Sequence, residues 1–480
     1  MRLDTLLDQI KVAASNVPGD LEITGVCCDS NRVQPGNLFA AIPGTHQDGS
    51  CYACQAMSRG AACILCRRSG RACALPHVEV EQVRPALAAA AANWYGHPAK
   101  ELSVIGVTGT NGKTTSTYLI RHILQTAAGK EVGLIGTVCT IIGGCEVPAE
   151  RTTPDAVALQ RMLRQMVSSG CDSCVMEVSS HALSQHRTDQ IPFRVGLFTN
   201  LTEDHLDYHG DMRHYCRAKA RLFQSCQAAV YNRDDPWSDA VLAGSTCPAF
   251  SYGTDRRACL RAEDIRLQRQ GVQFTACSDG ETARVQMQIP GGFTVYNALG
   301  AMGVCMQLGV PLAECARALE SFSGVPGRME AVSTHGRPFS VLVDYAHTPD
   351  ALENVLRTAR GFARGRVVAL FGCGGDRERE KRPKMGAIAA QYADFVIVTS
   401  DNPRGEEPED IIEEILPGLA GGQTPYVVIP DRKEAIRYAV EHARREDVIL
   451  LCGKGHEAYQ ESKGRREPMD DRLLAAALLE

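Results

Sequence analysis

The feature that most restricts this chain is the segment Gly106-Val107-Thr108-Gly109-Thr110-Asn111-Gly112-Lys113-Thr114-Thr115. It lies between an apolar run at 104–107 and a helix-patterned stretch at 114–128. A strand feeding a glycine-rich loop and then a helix brings backbone N–H groups, a helix N-terminus and a lysine to one point. Such a loop cradles phosphate. Gly109, Thr110, Asn111 and Gly112 let the backbone approach, Lys113 reaches the outer phosphates, and Thr114, followed by Thr115, offers a hydroxyl to Mg²⁺. The glycine usual five residues before Gly112 is Val107 here, so the Gly-Lys-Thr core and the strand–helix setting carry the reading. The rival is a glycine-rich turn that binds nothing. The loop alone does not name a reaction, because GTPases, kinases, motors and ligases share it.

The rest of the chain supplies the frame. A length of 480 residues suits two to four domains. Composition shifts divide it at 1–100, 101–328 and 329–480. The first part predicts strands near 36–42 and 61–66 and an alanine-rich helix at 86–95. The central part predicts strands at 132–135, 174–178 and 195–199. It also predicts a helix over 154–169 with Pro154 in its first turn, and a helix over 213–224. Near-alternate apolar residues Ile265, Leu267, Val272, Phe274, Val285 and Met287 predict antiparallel strands within 264–289. Helices at 295–309 and 311–322 follow, and 324–328 reads as a linker. Beyond it, strands at 341–345, 367–371, 395–398 and 448–451 alternate with helices at 349–361, 384–392, 408–416 and 432–444. The fold class is therefore α/β. It combines a smaller N-terminal α/β domain, a central phosphate-loop domain on a doubly wound, mainly parallel sheet, and a C-terminal Rossmann-like α/β domain.

Composition excludes several partners. A net charge of −5 gives no basic field for nucleic acid, and Glu378 and Glu380 interrupt the basic stretch 377–384. The longest apolar runs, such as 86–92, fall short of the ~20 residues a membrane span needs, so no membrane insertion is expected. The start Met1-Arg2-Leu3-Asp4 carries no secretory signal pattern, so the 20 cysteines read as reduced thiols and the location as cytoplasmic. Cys51/Cys54, Cys63/Cys66 and Cys171/Cys174 have zinc-like spacing, but the first two pairs sit too close together for a ribbon. Cys63 and Cys66, three apart on a strand, face opposite sides. The cysteines are expected to be small packing residues.

Strand ends point to the chemistry. Glu177, in Met176-Glu177-Val178-Ser179-Ser180-His181, closes a strand where an open α/β sheet faces its ligand. It reads as a Mg²⁺ partner of Thr114, or alternatively as a cap on the next turn. Thr199-Asn200-Leu201 ends the following strand, and Asp204, His205, Asp207 and His209 crowd the loop after it. Lys219, taken by itself, reads as a solvated helix lysine.

These segments together resemble the Mur ligases, the ATP-dependent amino-acid-adding enzymes of peptidoglycan synthesis. The likeness runs through the phosphate loop, Glu177-Val178-Ser179-Ser180-His181, Thr199-Asn200-Leu201, the 204–210 run and Asn297. It implies ATP as co-substrate, bound also by Asn297, with catalytic roles for Lys113, His205 and Lys219. It further implies that Lys219 is carbamylated and, with His205, holds a second Mg²⁺. Phe371-Gly372-Cys373-Gly374-Gly375-Asp376-Arg377, Asp401-Asn402-Pro403-Arg404 and Gly453-Lys454-Gly455-His456-Glu457 look like those of the member that adds meso-diaminopimelate. That member's acceptor is UDP-N-acetylmuramoyl-L-alanyl-D-glutamate. Carried over by position, Arg377, Asp401, Asn402, Pro403, Arg404, Gly453 and Glu457 would bind the diamino acid. Ser30, His46, Thr152, Thr153, Ser179, Gln185 and Arg187 would bind the UDP-muramoyl-dipeptide. The second head of diaminopimelate carries a carboxylate that lysine lacks, and the Arg404 and Arg377 guanidinium forks suit it. The extra ammonium suits Glu457. A monomer is expected.

Rival readings are an L-lysine-adding, folate or cyanophycin ligase, and a nucleotide-driven switch or motor. A dinucleotide oxidoreductase built on Gly372-Cys373-Gly374-Gly375 lacks the third spaced glycine.

Overall fold

The computed structural model describes residues 1–44, 47–68, 74–268 and 271–480. Its frame is three sheets of five, eleven and six strands, met in that order along the chain. In the first, Gly25–Cys27, Asn37–Ala40, Cys63–Arg67 and His77–Val80 run parallel, and Val12–Ser15 pairs antiparallel at one edge. Cys63 and Cys66 pack into cores on opposite faces of this sheet, as period-two alternation requires.

The middle sheet positions the site. Ser103–Thr108 lies between Ser173–Glu177 and Val195–Phe198, parallel to both. The chain builds one flank through Val132–Ile135 and then crosses to build the other. The strand that feeds the phosphate loop is thus at the point where strand order reverses, and a crevice opens there at the carboxyl ends. Register aligns those ends, with Glu177 opposite Val107 and Phe198 opposite Thr108. Ala229–Asn232, Ala249–Gly253 and the start of Leu260–Gln268 extend the parallel part. Gly271–Ser278 and Glu281–Met287 then add antiparallel strands, as the alternation predicts.

The C-terminal sheet is parallel except for the edge strand Glu330–Val332. Ser340–Asp344, Val367–Phe371, Phe395–Val398 and Val448–Cys452 are almost wholly apolar because both faces are covered by separate cores. Helix Pro349–Phe362 shows the local logic. Thr348 accepts from the Ala351 N–H, Pro349 occupies the first turn, and Leu352, Val355, Leu356 and Ala359 face the core.

Several elements differ from the sequence reading. The helix expected at 154–169 is Ala156–Ser168; Asp155 caps it by accepting from Val157 N and Ala158 N, so Pro154 lies outside. The helix expected at 213–224 is Met212–Ala220, tightening to 3₁₀ over Arg221–Gln224. Residues 295–309 and 311–322 become Gly292–Gln307 and Leu312–Glu320. The hairpins Cys139–Ile142 with Cys145–Pro148, and Tyr459–Ser462 with Arg465–Pro468, were not foreseen. Nor was helix Asp471–Leu479.

Of the cysteines among the described residues, Cys51, Cys54, Cys145 and Cys259 are exposed and so depart from the packing expectation, while eleven others are buried. Among the described residues no helix is long and apolar enough to cross a membrane.

One ion pair anchors the C-terminal helix. Arg432 and Asp471 are both fully buried and meet through two hydrogen bonds, Nε to Oδ1 at 3.0 Å and Nη2 to Oδ2 at 2.6 Å. Removing one partner leaves the other charge buried and unpaired, at about 3–5 kcal/mol. Asp471→Ala should therefore lower the urea unfolding midpoint sharply. The exposed pair Arg317–Glu314, cut by Glu314→Ala, should change it little.

Candidate active site

A cavity of about 1160 Å³ lies between the central and C-terminal domains. Thr110, Asn111, Gly112, Lys113, Thr114 and Thr115 line one wall. Gly112 has φ +82°, and a Cβ there would collide with Asn297 Oδ1, so the loop needs glycine at this position and Asn297 points at it. Lys113 Nζ donates to the Gly109 and Thr110 carbonyls at 2.9 and 2.7 Å, a folded-back pose within its own loop. Burial lowers its pKa, against the pull of Glu177 and Asp204.

Glu177 is almost fully buried on the same wall. Its two carboxylate oxygens accept from Thr137 N at 2.7 Å and Thr137 Oγ1 at 3.0 Å. Among the described residues no cationic side chain pairs with it, and its spare lone pairs remain available. A buried carboxylate without an ion-pair partner, lining the same cavity as the Thr114 hydroxyl, fits a divalent cation better than it fits a turn cap.

Lys219 contradicts its reading as a solvated lysine. It is 1% exposed, its Nζ donates to Gly109 O at 2.8 Å and sits 4.5 Å from the centre of the Tyr215 ring. Burial, and then the charge of Lys113, push its pKa well below the usual lysine value. His205 adopts φ +56° and stacks edge-on against His181 at 4.8 Å. Burial lowers its pKa to about 3, against Asp204. The neutral imidazole is the form that ligates metal. Among the described residues no group of three or more His, Cys, Asp or Glu converges to hold an ion.

The opposite wall carries Arg377, Asp401, Asn402, Arg404, Gly453 and Glu457. Arg404, at φ +52°, donates from Nη1 to Gly375 O at 2.9 Å. Glu457 Oε2 accepts from Asn402 Nδ2 at 2.8 Å and from the buried Lys454 Nζ at 3.2 Å, and Oε1 accepts from the Tyr345 hydroxyl at 3.5 Å. Asp401 approaches the place a Cβ on Gly453 would occupy, and Gly453 has φ +112°.

The expected acceptor residues divide. Thr152 and Ser179 line the cavity. Thr153, Gln185 and Arg187 form a neighbouring group instead: Arg187 donates to Thr153 O at 2.8 Å and to Gln185 Oε1 at 2.6 Å. Ser30 lies apart in the N-terminal domain, donating to Gln55 Oε1 at 2.9 Å. Pro403 supports the loop without lining the cavity, and His46 lies outside the described residues.

Other lining residues were missed. Arg328 falls in the segment read as a linker. Its guanidinium instead lies over the Tyr345 ring at 4.4 Å and donates to Thr114 Oγ1 at 3.2 Å. Asp344, Tyr345 and His347 follow the strand Ser340–Asp344, and Asp350 accepts from Asn111 Nδ2 at 2.6 Å across the domain boundary. The strand-end rule that found Glu177 would have found Asp344 had it been applied to this strand.

A phosphate loop, a buried carboxylate and a buried lysine face a guanidinium-lined recess across one cavity. This defines a nucleotide-dependent ligase that works at a domain boundary. The chain belongs to the Mur ligase family. The family's middle domain matches residues 107–305, its glutamate ligase domain 327–455 and its catalytic domain 22–95. The chain is 43% identical to UDP-N-acetylmuramoyl-L-alanyl-D-glutamate--2,6-diaminopimelate ligase of Syntrophomonas wolfei, covering 100% of this chain and 99% of that one. It is 44% identical to the enzyme of that name from Geobacillus thermodenitrificans, over 99% of each. A solved structure bearing the same name superposes with a TM-score of 0.70 at 31% identity, covering 100% of this chain and 98% of that one.

Two imidazoles packed against the Tyr345 ring make stability depend on pH. Burial lowers His456 to about 3 and His347 to about 4, with Arg328 and Lys381 respectively adding to the effect. An unfolded histidine titrates near ~6.5, so below that pH the unfolded chain binds protons first and stability falls as pH falls. The drop in urea midpoint between pH 7 and pH 5 should be smaller in His456→Gln than in the parent protein.

Proposed function

We propose that this chain is the ATP-dependent ligase that joins meso-2,6-diaminopimelate to UDP-N-acetylmuramoyl-L-alanyl-D-glutamate in peptidoglycan precursor synthesis. The observation that carries this reading is the recess of Arg377, Arg404 and Glu457 facing the phosphate loop across one cavity. Two guanidinium groups and a carboxylate complement the carboxylate and ammonium that distinguish diaminopimelate from lysine. Arg404 is half-buried and Arg377 exposed at the cavity mouth, so the discrimination rests on the guanidinium–carboxylate match, which lysine's lone ammonium cannot make.

Residues 101–328 bind ATP, 329–480 the diamino acid and 1–100 the uridine end, where Ser30 and His46 are candidates. Thr152, Thr153, Ser179, Gln185 and Arg187 would line the path of the dipeptide. An amine does not attack a free carboxylate usefully at neutral pH. The D-glutamate γ-carboxylate therefore takes the γ-phosphoryl group of ATP, giving an acyl phosphate and ADP. The diaminopimelate amine then adds to the acyl carbon, and the tetrahedral intermediate expels phosphate to leave the amide.

The first step brings two anions together. Lys113 leaves its loop carbonyls for the phosphates, and Arg328 adds a second cation beside Thr114. Thr114 and Glu177 would hold one Mg²⁺, and His205 with Lys219 the other, neutralising charge on the phosphates. A neutral amine is the form that combines with CO₂, releasing a proton as the carbamate forms. The burial of Lys219 favours that amine. Supply of the amine from one domain and the acyl phosphate from another keeps water from a hydrolysable intermediate.

Phosphate release with UDP-muramoyl-dipeptide and ATP should require meso-diaminopimelate, with L-lysine a poor replacement; release without either amino acid would indicate a switch or motor. Lys219→Ala should keep nucleotide binding and lose ligation, and the parent enzyme should slow in bicarbonate-free buffer. Arg404→Ala should raise the diaminopimelate KM by about 10–100-fold while moving the ATP KM little.

A further inference from the structure

Behind the diamino acid recess sits a side chain with no access to the cavity. Arg382, on helix Lys381–Tyr392, is fully buried. Its Nη1 donates to Glu406 Oε2 and Glu414 Oε2, both at 2.9 Å, and its Nη2 donates to Glu406 Oε1 at 2.8 Å. The fork on Glu406 is bidentate, so it sets angle as well as distance.

Glu406 passes that placement to two loops. It lies in the 401–406 loop with Arg404, and its Oε1 also accepts from Asp376 N at 2.6 Å in the 372–377 loop. Asp376 Oδ2 in turn accepts from Gly405 N at 3.0 Å. Gly375 N donates to Asn402 O at 2.9 Å, and Arg404 Nη1 donates to Gly375 O.

The two loops are laced tightly. A Cβ on Gly375 would collide with Pro403 O. Arg404 and Asp376 both hold φ +52°, a conformation that side-chain-bearing residues keep only when their surroundings impose it. Each of the two guanidinium groups offered to the substrate, Arg377 and Arg404, therefore hangs from a loop that Glu406 pins.

We infer that Arg382, through Glu406, is the positioning residue that sets Arg377 and Arg404 for the distal carboxylate of the incoming diamino acid. It touches neither substrate nor nucleotide. The inference rests on the reading that this recess takes diaminopimelate. Its consequence is specific. Loosening the fork should harm a substrate that uses the two guanidinium groups and spare one that lacks the distal carboxylate.

The test compares Arg382→Lys with the parent enzyme in steady-state phosphate release, using meso-diaminopimelate and L-lysine in separate assays. Lysine keeps a buried cation for Glu406 and Glu414 but cannot make the planar fork. The diaminopimelate KM should rise about tenfold or more, the ATP KM should stay within about twofold, and the diaminopimelate-to-lysine ratio of kcat/KM should fall about tenfold. Glu406→Gln keeps one acceptor oxygen and carries the same expectation, so it stands in if Arg382→Lys folds poorly. Equal losses on both amino acids, or an ATP KM rising in step, would assign Arg382 a general structural role and overturn the inference. A parent enzyme with no preference for diaminopimelate would sink the functional reading itself. Preference present in the parent and retained in both variants would sink only the role of Arg382.

Discussion

Charge has to be managed in a place with little water. The reaction drives a carboxylate onto a triphosphate, and the cavity answers with cations held in low dielectric, where they act strongly. Lys113 and Arg328 meet at the phosphate loop, and Lys219 lies one hydrogen bond from Gly109. Glu177 and Asp204 supply the compensating negative charge from the same wall. Burial of these groups, and then their mutual charge, shifts their titration. Burial lowers the pKa of both lysines and brings the imidazoles of His205 and His209 down to about 3 and about 4, and among the described residues Glu177 is buried without an ion-pair partner.

The two walls of the cavity come from different domains, and their contacts involve the reactive groups. Asn111 in the phosphate loop bonds Asp350 at the start of a C-terminal helix. Arg328 reaches from the junction back to Thr114, and Lys384 pairs with Glu203 at 2.7 Å. A segment that reads as a passive linker is thus part of the phosphate-loop wall. Loop 372–377 and loop 401–406 are in turn fastened to each other, so the recess behaves as one unit facing the phosphate loop.

Much of the fold was legible because it obeys short-range patterns. Strands 132–135, 367–371 and 395–398 were bounded correctly, since a continuous apolar run flanked by turn residues has few alternatives. The antiparallel strands after Leu260 were legible from alternation. The strand Cys145–Pro148 was not, because it is exposed throughout and carries no period-two signal. Pro154 misled because the cap one residue later, Asp155, competes for the same start.

At the site, motif residues such as Lys113 and Glu177 were readable because backbone geometry and strand ends constrain them locally. The resemblance supplied Lys219, whose own sequence neighbourhood reads as a surface helix. What the sequence determined by itself was the loop chemistry and the list of ionisable groups, since these depend on residue type and near spacing. Tertiary structure alone decided which of those groups lose water. Burial of Lys219 against Gly109, of Glu177 beside Thr137 and of Arg382 between two glutamates arises from contacts between elements far apart in the chain. Desolvation is a property of that packing, and no local pattern encodes it.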